Sequence, residues 1–247
     1  MLVNDAAWWP FGPPAGNGRI PLVCLPYAGG GASVYRAWRR TQPAGVEICP
    51  LQLPGREGRI REAPHRRVET LALQLAQVML SVTVRPYALF GHSMGALIAF
   101  ELAHRMSEMG RPPAHLFVSA SRPPASPRCG PPLHTLTDAA FVEALRELEG
   151  TPEPVLAHQE LMELLLPALR ADFELCETYA PPARPPLTVP ITAFGGTQDA
   201  QVSPQDLEGW SRETSSGFTA VQLAGRHFFL EDHAASILSR VASSVVG

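Results

Sequence analysis

The sequence predicts an α/β fold, a mostly parallel sheet with helices covering both faces. Three observations predict it. Short apolar runs alternate with helical periodicities along most of the chain. The 247 residues, with 45% hydrophobic and 17% charged side chains, suffice for one domain with a full core. A five-residue turn, Gly91-His92-Ser93-Met94-Gly95, joins the apolar run Tyr87-Ala88-Leu89-Phe90 to a helical run at 96–103. No internal repeat and no second-domain boundary interrupts the pattern.

Residues 1–19 are rich in Trp, Pro and Gly, and Trp8, Trp9 and Phe11 read as plugs that fasten this segment to the core. The segment lacks a basic region followed by an apolar core, so it does not read as a secretory signal. Residues 20–25 form the first strand, ending in Pro26-Tyr27-Ala28-Gly29-Gly30-Gly31. This glycine run lacks the Lys-Ser/Thr of a phosphate loop and the spacing of a dinucleotide fingerprint. A short helix follows at 33–42 and a second strand at 46–53. Next come Arg56, Arg59, Arg61, Arg66 and Arg67. Such a run reads first as a solvated face and second as a docking patch for an acidic partner. Leu71, Leu75, Val78, Met79 and Val82 keep helical spacing through 68–82, and a strand follows at 116–120.

After a Pro-, Ser- and Arg-rich linker at 121–132 the alternation lapses. Helices are predicted at 137–148, capped by Thr137-Asp138, and at 159–179, with Pro167 as a kink. The insertion, about 130–183, reads as a helical lid over a site at the sheet edge. Strands resume at 189–194 and 218–223, and a helix at 233–246 closes the chain.

Gly91 to Gly95 fits G-x-S-x-G between a strand and a helix, which is the nucleophile elbow of the α/β-hydrolase fold. Small residues are required two places before and after the serine, because strand and helix backbones nearly touch there. A serine hydroxyl needs a base, and the base needs a third group to hold its tautomer. In this fold the chain order is serine, acid, histidine. Of the eight histidines, only His227 follows a C-terminal strand in a short Gly-containing loop. Asp199 follows the preceding strand by a Gly-Gly turn, ahead of Asp206, Glu231 and Asp232 as candidate acids. The amides of Ala28 and Met94 are the predicted oxyanion donors. His92 is expected to point away from its neighbour in the elbow.

Composition narrows the function further. The net charge is −3, which gives no electrostatic case for a nucleic-acid partner, and all twenty cationic residues are arginine. No apolar run is long enough to span a membrane. Cys24, Cys49, Cys129 and Cys176 form no C-x-x-C pair; Cys24 and Cys49, in strand-like runs, read as buried hydrophobes, and a reducing cytoplasm is the expected compartment. No metal-ligand spacing and no cofactor motif is found. A serine hydrolase acting on an acyl group follows. A general carboxylesterase or lipase, an acyltransferase using the same serine, and a non-catalytic binding protein on this scaffold are the alternatives.

Five segments, in order, resemble the type II (external) thioesterases of polyketide and nonribosomal peptide synthesis. They are Pro26-Tyr27-Ala28-Gly29-Gly30, Gln52-Leu53-Pro54-Gly55-Arg56-Glu57, the elbow with Ala96, Leu164 to Phe173 in the insertion, and His227-Phe228-Phe229-Leu230. Arg226 departs from the small or acidic residue expected before the histidine. The resemblance implies hydrolysis of acyl thioesters on the phosphopantetheine arms of acyl or peptidyl carrier domains. It implies an editing role, and no cofactor beyond the arm that the substrate carries.

Overall fold

The computed structural model describes residues 5–82, 86–126 and 130–246. Six strands form one sheet: β1 (Ile20–Leu25), β2 (Val46–Pro50), β3 (Ala88–His92), β4 (His115–Ser119), β5 (Ile191–Gly196) and β6 (Phe218–Leu223). Their spatial order is β2-β1-β3-β4-β5-β6, and every pairing is parallel. The central strands β3 and β4 are buried at every residue, as a sheet covered on both faces requires.

The covering helices are amphipathic. On one face α3 (Val68–Val82) and α4 (Met94–Glu108) pack Leu71, Leu75, Ile98 and Leu102 against Val23, Leu89 and Val118. On the other, α2 (Arg36–Arg40) and α9 (Ala234–Val245) pack Trp38, Ile237, Leu238 and Val241 against Leu22, Phe90 and Phe117. The segment before β1 begins with the short α1 (Asp5–Trp8). Trp8 and Trp9 are buried as predicted, and the Arg59 guanidinium lies 4.1 Å above the Trp8 ring.

Between β4 and β5 the chain leaves the sheet. A 3-10 turn, Leu133–Thr135, precedes α5 (Asp138–Glu147), α6 (Glu153–Leu156) and α7 (Gln159–Thr178). The sequence predicted two helices here; four-residue α6 is too short to show a period. α7 runs without a break through Pro167. The insertion has its own apolar centre, in which Phe141, Leu145, Leu156, Met162 and Leu169 are buried. After β5, α8 (Pro204–Gly209) returns the chain to β6.

Two local expectations change. The helix expected at 33–42 is a 3-10 turn, Ala32–Tyr35, followed by α2. The strand expected to reach residue 53 ends at Pro50, although Leu51 still donates to the Cys24 carbonyl. Cys24 and Cys49 are buried thiols, and burial pushes both up from the ordinary thiol range. Cys176 is half-buried, and Cys129 lies outside the described residues. No helix among the described residues is long and apolar enough to cross a membrane.

Candidate active site

The elbow is built by close approach. A Cβ on Gly91 would lie 2.0 Å from the Gly95 carbonyl oxygen, and one on Gly95 would lie 2.2 Å from the Leu25 carbonyl oxygen. Neither distance is compatible with a side chain, so both positions require glycine. Ser93, pinched between them, has φ 54° and ψ −116°, a backbone conformation costly for any residue other than glycine. Its own amide donates to the Ser119 carbonyl at the end of β4, which holds the turn in place.

Ser93, His227 and Asp199 meet at the C-terminal edge of the sheet. The Ser93 Oγ is 3.0 Å from the His227 Nε2, and the His227 Nδ1 is 2.8 Å from the Asp199 Oδ2. His227 sits in the turn after β6 and is 7% exposed; the Asp199 side chain is fully buried. Asp199 is held by its Oδ1, which accepts the Gln201 amide. A hydroxyl, an imidazole and a carboxylate so connected can relay a proton from the serine and stabilise the imidazolium that results.

Asp206 and several of the other histidines have partners of their own. Asp206 caps α8 in a reciprocal pair with Ser203 and lies 3.4 Å from Arg122. Glu231 and Asp232 stand in the turn before α9. His134 is paired with Glu177, His115 lies 2.9 Å from the Thr192 hydroxyl, and His158 caps α7. His92 packs behind the elbow. Its ring is fully buried, its Nδ1 is 2.9 Å from the Ser119 hydroxyl, and it meets the His227 ring edge-on at 5.5 Å. Burial, and then the neighbouring His227, hold His92 well below the ordinary histidine range, so this imidazole stays neutral behind the elbow.

Two cavities converge on Ser93 and His227. One, of about 510 Å³, lies under the helical insertion and is lined by Ala28, Leu145, Leu169, Phe173 and Phe228. The other, of about 480 Å³, is lined by Met94, Leu97, Arg122, Tyr179 and Val202. Ala28 lines the first cavity and Met94 the second, and Ser93 lines both. Met94 opens α4, whose N-terminus presents amides and a positive dipole end. Among the described residues no group of His, Cys, Asp or Glu is arranged to hold a metal ion.

Two members of the arginine run are a correction, while Arg61, Arg66 and Arg67 are exposed as expected. Arg56 and Arg59 are 5% and 8% exposed and so cannot belong to an open docking face. Arg59 pairs with Glu62 and donates to the Gln52 carbonyl, and Arg66 pairs with Glu174 of α7. Arg56 reaches Asp172 of α7. Sequence spacing could not reveal these contacts, because the partners on α7 lie more than a hundred residues away. One signal was available: Asp172 stands among the apolar residues of the insertion. Arg226, the departure noted before His227, forms a two-oxygen ion pair with Glu149 of the insertion.

A family model described as a thioesterase domain matches residues 20–245. The chain is 43% identical over 213 residues to the gramicidin S biosynthesis protein GrsT of Aneurinibacillus migulanus, covering 86% of this chain and 83% of that one. The solved structure of the type II thioesterase BorB from the borrelidin biosynthetic cluster superimposes with a TM-score of 0.86 at 39% identity, covering 94% of each chain. RedJ, a thioesterase from the prodiginine biosynthetic pathway in Streptomyces coelicolor, gives a TM-score of 0.82 at 38% identity, covering 97% of this chain and 93% of that one.

Proposed function

This chain belongs to the thioesterase family, and we propose that Ser93, His227 and Asp199 are its catalytic triad, with the amides of Ala28 and Met94 as its oxyanion hole. It hydrolyses acyl thioesters from the phosphopantetheine arms of acyl or peptidyl carrier domains. The role is editing, the clearance of stalled or mis-primed groups from polyketide and nonribosomal peptide assembly lines. The observation that carries the reading is the hydrogen-bonded line from Ser93 through His227 to Asp199, at the mouth of an apolar cavity.

In the first half-reaction His227 takes the Ser93 proton at Nε2 as Oγ adds to the thioester carbonyl carbon. The carbonyl electron pair moves to oxygen, where the two amides receive it. The C–S bond then breaks, and His227 returns the proton to the pantetheine sulfur. In the second half-reaction water adds to the acyl-serine by the same route and releases the free acid. Asp199 keeps the Nδ1 proton of His227 in place throughout. The acyl chain occupies the cavity under the insertion, which serves as a lid, and the thiol leaves on the side of Met94. No cofactor takes part beyond the arm on the substrate, and the reaction is placed in the cytoplasm with the synthases.

The test compares acyl-carrier thioesters with simple esters of the same acid, using purified enzyme and a Ser93→Ala control. The expected result is a kcat/KM at least about tenfold higher on the carrier substrate, free acid as product, and no turnover by the control. Preference for simple esters would make the protein a general esterase. Transfer to an added alcohol or amine in place of water would make it an acyltransferase. Turnover by Ser93→Ala would remove the serine from the mechanism.

A further inference from the structure

One buried ion pair ties the helical insertion to the loop that carries Ala28. Asp172 of α7 is 1% exposed, and its Oδ2 accepts the Gly29 N–H at 2.8 Å. The same carboxylate receives two parallel bonds from Arg56, Nη1 to Oδ2 and Nη2 to Oδ1, each 2.7 Å. Arg56 also donates to the Gly30 and Pro54 carbonyls. Glycine loop, arginine loop and α7 therefore meet at a single carboxylate. One turn earlier on α7, the Leu169 Cδ2 would lie 2.6 Å from a Cβ on Gly29, whose φ of 77° also favours glycine.

Stability does not account for this arrangement. A buried pair of opposite charges roughly breaks even against apolar side chains of the same shape. What a carboxylate does, and a leucine cannot, is aim a main-chain N–H. Fixing the Gly29 N–H fixes the plane of the Ala28–Gly29 peptide, and with it the torsions that direct the preceding N–H, that of Ala28.

We propose that Asp172, held by Arg56, is a positioning residue that acts through the Gly29 amide to aim the Ala28 N–H, so that the oxyanion hole is complete only when α7 is seated. The inference rests on the proposed role of Ala28 as an oxyanion donor. It makes the lid part of the chemistry: seating α7 over the acyl chain and readying the oxyanion hole are one event.

The test uses the full chain, Asp172→Asn, and the double variant Arg56→Met with Asp172→Leu, which removes both charges and leaves neither alone. Two ligands carry the same acyl chain on pantetheine. A trifluoromethyl ketone analogue accepts the Ser93 Oγ at its carbonyl carbon while the proton passes to His227, which makes a tetrahedral oxyanion. An amide analogue binds without reacting. The double variant should lose about a hundredfold in both kcat and ketone affinity, the scale of a lost oxyanion donor. Its KM and amide affinity should stay within about twofold of wild type. Asp172→Asn retains an oxygen for Gly29 but loses the charge, and should fall by about fivefold in the same two quantities. Wild-type kcat and ketone affinity in the variants would overturn the proposal, and so would equal losses on ketone and amide. If the double variant does not fold, Asp172→Asn decides alone by the same ratio of ketone to amide loss. A wild-type enzyme whose ketone affinity is unaffected by Ser93→Ala would instead remove the underlying serine mechanism.

Discussion

Below Ser93 the active site is held by backbone contact: Gly91 against Gly95, Gly95 against Leu25, and the Ser93 amide on Ser119. Above it, charge does much of the fastening. Asp172 is locked to Arg56 out of water, while Glu149 meets Arg226 in the open, with side chains 57% and 69% exposed. The floor is a steric fit that tolerates no added atom. The roof has an apolar centre of its own and is joined to the sheet through ion pairs whose weight depends on burial. Changes to the floor should therefore act in all-or-none fashion, and changes to the roof by degrees.

The sharpest way to break this contrast is at the floor's chemistry. Asp199→Asn should lower kcat by about ten-thousandfold with an unchanged melting temperature, because the amide favours the wrong His227 tautomer. Steady-state kinetics beside a thermal melt decide it, and a loss below about tenfold would move the acid to another residue. Next is the fit itself. Gly95→Ala places a carbon against the Leu25 carbonyl and should cost about 3 kcal/mol or more, read by denaturant unfolding. A variant as stable as wild type would show that the elbow can relax.

Acid should weaken the floor by a smaller amount. Burial pulls His104 of α4 and His115 of β4 down to about 4. Between that value and about 6.5 the unfolded chain takes up protons that the folded chain refuses, so stability falls as pH drops through this window and is restored above it. A melting temperature lower by at least about 5 °C at pH 4.5 than at pH 7 is expected. His115→Gln should reduce that difference. The smallest effect belongs to the open ion pair of the roof. Arg226→Ala should leave the unfolding midpoint where it is in wild type and change kcat by less than about threefold. A hundredfold loss there would mean that exposure does not set the weight of a roof contact.

The meeting of Ser93, Asp199 and His227 was legible because its grammar is local. A strand, a small-residue turn and a helix appear within about twenty residues, and Asp199 and His227 each follow a strand directly. The alternation also gave the mostly parallel sheet, but not its strand order, which depends on crossovers that no window contains. Arg56 was misread for a physical reason. An arginine among charged neighbours resembles a solvated one until its partner is known, and Asp172 becomes its neighbour only in three dimensions. What surrounds His92 was not legible, because divergence of adjacent side chains at the elbow says nothing about what the fold later packs behind them. Trp8 and Trp9 needed no such knowledge, since large apolar rings in a Pro- and Gly-rich segment have few alternatives to burial.

The register that sets Leu116 beside Ile191 also fixes an order of assembly. The serine and its elbow belong to the first half of the chain, where β1, β3 and β4 pair and α4 packs over them. His227 arrives only after the whole helical insertion has been synthesised, and it follows β6 at the edge of the sheet. Closing so long a loop costs only a little more entropy than closing a short one, but topologies that depend on such distant pairings fold slowly. A nascent chain therefore carries Ser93 well before the histidine that it meets in the fold, and the line from Ser93 to Asp199 is complete only once the last strands have docked.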